Sequence, residues 1–291
     1  MYLGAIEAGG TKFVCAVGDD DGRVRQREMF PTTTPEETMR SVIRFFQQFE
    51  LKAIGIGSFG PIDLNKSSHT YGYITSTPKR KWESFNFVGE MSKYFPVPIG
   101  FDTDVNAAAL GERLWGAAKG TNSCLYMTVG TGIGVGAIVE GRLLHGLLHP
   151  EMGHILVRRH PEDGFAGCCP FHNDCLEGMA SGPAIEKRWG KKGAELTNHT
   201  EVWELEAFYL GQAIAQYILT LSPEKIIVGG GVMKQTQLLP AVRRYVIDFL
   251  NGYIQHEAIL QHIDEYVVRP GLGDNAGICG ALALAKQALG E

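Results

Sequence analysis

Glu7-Ala8-Gly9-Gly10-Thr11-Lys12-Phe13-Val14-Cys15-Ala16-Val17 and, far downstream, Thr128-Val129-Gly130-Thr131-Gly132-Ile133-Gly134-Val135-Gly136-Ala137-Ile138-Val139 follow one pattern. Each reads as a strand, a Gly-Thr turn and a second strand. Each is followed by a tighter glycine turn and a third strand, through Gly22-Arg23-Val24 in the first copy and Gly141-Arg142-Leu143 in the second. Internal repetition sets the architecture. Here it predicts two related lobes, each opening on a hairpin, with both Gly-Thr turns facing the same cleft.

Working outward, each hairpin is followed by alternating strand and helix patterns. In the first lobe, Met39, Val42, Ile43, Phe46 and Phe49 recur at helical spacing over 35–49, with Glu36 and Glu37 in the first turn. Ala53-Ile54-Gly55-Ile56-Gly57 and Pro98-Ile99-Gly100-Phe101 read as short buried strands, and a small-residue helix is expected over 106–115. In the second lobe the pattern predicts a long helix over 202–221, a strand at 225–228 and a helix over 239–250. A small-residue helix over 276–288 is expected to pack back on the first lobe. The expected division is thus 1–118 for the first lobe, joined by the C-terminal segment 276–291, and 119–275 for the second. Such alternation means α/β architecture with largely parallel strands, and the glycine clusters fall at carboxyl ends of strands, where such sheets bind ligands. The long irregular stretches, 64–86 and 158–173, are of the kind that tends to carry function.

Composition narrows the function classes. The 291 residues are 44% hydrophobic and 20% charged, which suits a globular chain of about two domains. With 27 Lys and Arg against 32 Asp and Glu, and no basic cluster, there is no footprint for nucleic acid. No apolar run approaches the roughly 20 residues that span a membrane, and the first residues lack the marks of a signal peptide. The expectation is a cytoplasmic protein whose partners are small molecules.

Four stretches carry candidate chemistry at the cleft. Gly9, Gly10, Thr11 and Lys12 can form an anion-binding nest with a hydroxyl and a charge, or simply a hairpin turn; the spacing of a Walker A loop is absent. Gly130, Thr131 and Gly132 supply a second such turn, so that two facing turns could hold a triphosphate. Gly229, Gly230 and Gly231 directly follow a strand and permit close approach by a flat ligand, although a tight strand-to-helix connection would also use glycine. In Thr103-Asp104-Val105-Asn106, Asp104 ends a strand before a helix. It is suited to orient a hydroxyl and accept its proton, yet an Asp there is also a common helix cap. Asp102 competes with it, pointing to the same side if the strand persists.

The six cysteines divide into two kinds. Cys15, Cys124 and Cys279 stand apart in apolar surroundings as buried thiols. Cys168, Cys169 and Cys175 cluster with His172. Cys169, His172 and Cys175, with His154, make a set suited to a structural zinc ion, closed by four protein ligands, with Cys168 as a spare thiol. Glu151 and Glu177 flank this set in sequence and are suited to bind sugar hydroxyls. The remaining histidines, His145 and His149 among them, are read as surface or structural residues.

Together these motifs resemble the ROK family (repressors, open reading frames and kinases) and, within it, bacterial fructokinases. The resemblance covers essentially the whole chain. It rests on Glu7-Ala8-Gly9-Gly10-Thr11-Lys12, Gly57-Ser58-Phe59-Gly60-Pro61, Thr103-Asp104-Val105-Asn106-Ala107, Gly130-Thr131-Gly132-Ile133-Gly134, Glu151-Met152-Gly153-His154 and Cys169-Pro170-Phe171-His172. It implies an actin-like ATPase fold of two ribonuclease-H-like lobes, and ATP-dependent phosphorylation of a hexose, D-fructose foremost, to fructose 6-phosphate. By the same resemblance Asp104 is the catalytic base. Thr103, Asn106, Glu151, His154 and Glu177 lie at the sugar, with His154 also a zinc ligand. Thr11, Thr131, Pro183 and Gly229 to Gly231 line the nucleotide site, Mg2+ accompanies ATP, and the chain forms a homodimer. Glu7 stands where glucokinase-like members usually carry Asp, and His172 replaces a cysteine of their zinc loop. Both departures match the fructokinase subgroup and count against glucose.

Other readings are a kinase for glucose, mannose or an N-acylated amino sugar, a non-catalytic sugar-binding protein, and a sugar-sensing repressor. With the phosphate motif beginning at Glu7, a preceding DNA-binding domain is not expected, and the retention of Asp104 with all three glycine turns argues against a non-catalytic scaffold.

Overall fold

The computed structural model describes residues 1–290, so Glu291, the last residue of the expected C-terminal segment, lies outside the described residues. The first lobe runs β1 (Tyr2–Ala8), β2 (Lys12–Gly18), β3 (Val24–Pro31), α1 (Pro35–Phe46), β4 (Leu51–Ser58), β5 (Tyr73–Ile74), β6 (Phe85–Asn86), α2 (Phe87–Tyr94), β7 (Ile99–Thr103) and α3 (Asp104–Trp115). The second runs β8 (Cys124–Val129), β9 (Ile133–Val139), β10 (Arg142–Leu143), α4 (Leu176–Ala180), α5 (Gly182–Trp189), α6 (Thr200–Leu221), β11 (Lys225–Gly229), α7 (Leu238–Leu250), α8 (Glu257–Leu260), α9 (Ile263–Tyr266) and β12 (Val267–Val268), and the chain closes with α10 (Ala276–Ala288).

The duplication read in the sequence is a duplication of topology. One five-stranded sheet has the order β3-β2-β1-β4-β7 and the other β10-β9-β8-β11-β12. In each, the first three strands form an antiparallel meander, and the next two add in parallel beside the first. Both Gly-Thr turns therefore sit at the same end of their sheets, beside the carboxyl ends of the parallel strands.

Each lobe has its own core. Phe13, Phe45, Phe46, Trp82 and Phe87 dominate the first, and Trp203, Tyr209 and the apolar face of α6 the second. A third cluster joins the lobes, made mainly of alanines of α3 and α10 packed against Tyr126, Ile138 and Ile227 of the second sheet. Small residues let these helices come within backbone distance of the sheet. A Cβ on Gly55 of β4 would overlap the Ala281 carbonyl of α10. The C-terminal helix packs against β4 of the first sheet.

The differences lie in the short elements. Helices α2, α4, α5, α8 and α9 are too short to show a helical period against their surroundings. Stretch 64–86 contains the β5–β6 pair and a 3-10 turn at Arg80–Trp82. No described helix is long and apolar enough to cross a membrane.

Candidate active site

A cleft of about 630 Å³ opens where the two sheets' turn-bearing ends meet. Gly10 and Thr11 line it from the first hairpin, and Gly130, Thr131 and Gly132 from the second. Thr103 and Asp104 contribute the start of α3, and Glu151, His154, Glu177 and His172 come from the second lobe. Of the residues expected at the sugar, Thr103, Glu151, His154 and Glu177 line this one cleft.

Asp104 is the first residue of α3, and the capping role that an Asp might have taken belongs to its neighbour. The Thr103 hydroxyl accepts from the Asn106 amide at 3.1 Å. Asp104 Oδ1 accepts only the adjacent Val105 amide, at 2.9 Å, and the carboxyl faces the cleft. Burial pushes its pKa up to about 7, and the charges of Glu7 and Glu151 push the same way against the Val105 amide.

Asp102 is not its equivalent. The strand ends at Thr103, so the two-residue alternation that would have aligned the carboxylates is broken by the first helical turn. Asp102 points into the protein, 2% exposed, and accepts from the Thr103 amide (2.7 Å) and Asn106 Nδ2 (2.8 Å), with His145 Nε2 at 2.7 Å on its other oxygen. The expectation for Asn106 changes with it. Its side chain is buried, gives its amide protons to Asp102 and accepts the Ala137 amide of β9 at 3.2 Å, so it ties α3 to the second sheet and does not reach the cleft wall.

Two histidines read as surface or structural residues support the site. His145 reaches Asp102 across the lobes, and that hydrogen bond holds its pKa above the usual histidine range. His149 is buried, its pKa lowered mainly by burial. Its Nε2 accepts the Ile62 amide at 3.0 Å, so Nδ1 carries the proton and lies 3.5 Å from Glu151 Oε1. Glu151 is itself raised to about 7, by burial and then by the charge of Glu177. Glu177 accepts the Ile133 amide at 2.9 Å and stands 4.0 Å from His154 Nε2, which fixes it between the second Gly-Thr turn and the Cys/His cluster. Only the residue type flanking the motifs could have hinted at these histidines: His149 precedes Pro150-Glu151 directly.

His154, Cys169, His172 and Cys175 converge, all four ligand atoms lying within 4.8 Å of one another. His154 Nδ1 is 3.4 Å from Cys175 Sγ and 3.8 Å from Cys169 Sγ, and His172 Nδ1 is 3.7 Å from Cys169 Sγ. Tetrahedral zinc with its usual bond lengths places sulfur and nitrogen ligands about 3.5 Å apart, so the donor set and its spacing fit that ion. Gly153 lets the loop carrying His154 close on the second hairpin; a Cβ there would overlap the Ile133 carbonyl.

The nucleotide-side candidates gather behind the second turn. The Gly182 amide donates to the Gly130 carbonyl at 2.8 Å, which brings Pro183 and the start of α5 beside it, and a Cβ on Gly130 would stand 3.9 Å from the Gly231 amide. Pro183 and Gly229 to Gly231 do not line the 630 Å³ cleft. Gly9 closes the first hairpin turn through its amide on the Lys12 carbonyl. The Lys12 ammonium lies 3.9 Å from Met29 Sδ on β3, off the cleft wall.

The profile of the ROK family matches residues 3–288. A Bacillus subtilis (strain 168) protein provisionally named a fructokinase is 60% identical over 99% of this chain and 96% of its own. The fructokinase of Pediococcus pentosaceus is 47% identical over 99% of each chain. Among solved structures, a ROK family glucokinase from Streptomyces griseus in complex with glucose and AMPPNP superposes with a TM-score of 0.80 at 25% identity, over 99% of this chain and 100% of that one. The paired sheets, the inter-lobe cleft and these likenesses agree on a two-lobed, actin-like ATPase fold: the chain belongs to the ROK family.

Proposed function

We infer that this chain is an ATP-dependent sugar kinase whose acceptor is D-fructose and whose product is fructose 6-phosphate. The observation that carries the reading is Asp104, a carboxyl on the cleft wall between two Gly-Thr turns, relieved of capping by Thr103. Relatives named fructokinase at 45–60% identity support fructose as the acceptor.

The residues divide the work by position. Glu151, Glu177 and His154 accept or donate hydrogen bonds to the sugar hydroxyls, orienting one of them toward Asp104. Asp104 accepts the proton of that hydroxyl as its oxygen bonds to the γ-phosphorus of ATP and the bond from phosphorus to the β,γ-bridging oxygen breaks, releasing ADP. The amides of the two Gly-Thr turns hold the phosphates from both sides, and lobe closure excludes water that would otherwise accept the phosphoryl group. Glu7, a carboxyl near Asp104 that makes no side-chain hydrogen bond among the described residues and is raised mainly by burial, suits Mg2+, which would neutralise phosphate charge. His154, Cys169, His172 and Cys175 would hold zinc, whose contribution is to fix the turn that carries His154 against the start of α4, which carries Glu177.

The family resemblance supports a homodimer, and the six unpaired thiols suit the reducing, cytoplasmic compartment expected from the sequence. Sedimentation at the mass of one chain would discard the dimer.

The test is ATP- and magnesium-dependent phosphate transfer to fructose, glucose, mannose and N-acetylmannosamine. Strong preference for fructose is expected. Preference for another sugar keeps the chemistry and removes fructose, and no transfer to any of them in folded, zinc-loaded protein overturns the kinase reading.

A further inference from the structure

Among the described residues, the cleft wall carries three carboxyl side chains, Asp104, Glu151 and Glu177, and one permanent cation, Lys79. Phosphoryl transfer spreads negative charge over the oxygens of the moving group, and catalysis of it is largely the electrostatic stabilisation of that charge. Lys12, the cation that the glycine motif itself offers, lies against Met29 instead. We propose that Lys79 is the residue of this chain that meets the transferring phosphoryl group and stabilises its charge in the transition state. The proposal rests on the kinase reading above.

Three observations set Lys79 apart from an ordinary solvated loop lysine. The first is its place. A Cβ on Gly10 would stand 3.1 Å from Lys79 Cε and 3.8 Å from Nζ, so the ammonium lies beside the phosphate-side turn. The second is the way its backbone is held. The Lys79 amide donates to the hydroxyl of buried Thr77 at 3.3 Å, and its carbonyl accepts the Trp82 amide at 2.7 Å. Trp82 is 1% exposed, donates its indole N–H to the Thr33 carbonyl at 3.0 Å and packs against Phe13 of β2, the strand that leaves the Gly-Thr turn. The segment bearing Lys79 is thus fixed to the same hairpin whose turn it overlooks. The third is that, among the described residues, Lys79 has no carboxylate within ion-pair distance, although eight other lysine and arginine side chains do. A fixed backbone with an unpaired ammonium beside the phosphate turn is the arrangement a transition-state clamp needs, because the charge is in place before the reaction and neutralises no resident group.

The experiment compares wild type with Lys79→Met and Lys79→Arg, measuring kcat and KM with whichever panel sugar the wild type phosphorylates best, and AMPPNP affinity by calorimetry. Lys79→Met keeps the length and removes the charge at an exposed position, so folding, followed by Tm, is expected to be unchanged. The expected result is a ~10²–10³-fold loss in kcat, as for removal of one donor to a developing oxyanion, with sugar KM and AMPPNP affinity within about threefold and partial recovery in Lys79→Arg. A kcat for Lys79→Met within about fivefold of wild type overturns the role. So does a loss of AMPPNP affinity as large as the loss in kcat, since that would make Lys79 a ground-state nucleotide contact. Absence of wild-type transfer to every sugar overturns the kinase reading and this role with it; normal wild-type transfer with an unaffected Lys79→Met overturns this role alone.

Discussion

Asp104 and Asp102 are two residues apart and differ in every respect that matters for chemistry. Asp102 has both oxygens engaged by Thr103, Asn106 and His145. Asp104 has a free oxygen in the cleft and a pKa near 7, raised by burial and then by Glu7. A base must be ionised to take a proton, so kcat/KM should fall as pH drops through about 7, roughly tenfold per pH unit on the acid side. A profile flat down to pH 5 would remove Asp104 from that role. Asp104→Asn keeps the shape and the Val105 contact but cannot accept the proton. It should lower kcat by ~10²–10⁴-fold with little change in Tm, and near-normal turnover in steady-state kinetics would be the contrary result.

At the scale of elements, α10 packs against the first sheet and α3. That packing depends on small residues where helix and strand backbones touch. Gly55→Ala puts a methyl where the Ala281 carbonyl stands, and neither backbone can give way without moving its element. The expected cost is about 1–3 kcal/mol, the usual range for overpacking, read as a lowered midpoint in denaturant. An unchanged midpoint would mean that α10 shifts freely, contrary to the tight packing of the alanine cluster between α3 and α10. Element boundaries were legible where the pattern was long, as for α10, and illegible where an element such as α4 spans barely more than one turn.

For the molecule as a whole, the second lobe carries Glu151, His154 and Glu177 of the cleft at the two ends of a stretch without strand or helix, from Ile155 to Cys175. That stretch is held by Arg188, which pairs with Asp163 at 3.1 Å in a buried contact where the Tyr209 hydroxyl also donates to Asp163 at 2.6 Å, and by the His154, Cys169, His172 and Cys175 cluster. Loss of one ligand should therefore release zinc and loosen the loop while the two cores persist. Cys175→Ser is expected to lower bound zinc measured by atomic emission, lower Tm by several degrees and raise the sugar KM. Full zinc content with an unchanged Tm would show that these four residues hold no ion. Glu177 and His154 link the cluster to the sugar wall, which is why the KM should respond.

What the amino-acid order determined by itself is local and periodic. The repeated Gly-Thr hairpins announced two lobes of one topology, the alternating patterns announced α/β layers, and the short spacings among Cys169, His172 and Cys175 announced a ligand cluster, because each of these signals is contained within a few residues of chain. The division of labour between Asp102 and Asp104 was decided only by the chain's turn from strand to helix at Thr103. The roles of Asn106, His145 and His149, and the placement of Lys79 beside Gly10, were decided only by tertiary structure. Their partners lie on other elements, often in the other lobe, and a hydrogen bond or a free charge across a cleft leaves no period in the sequence from which to read it.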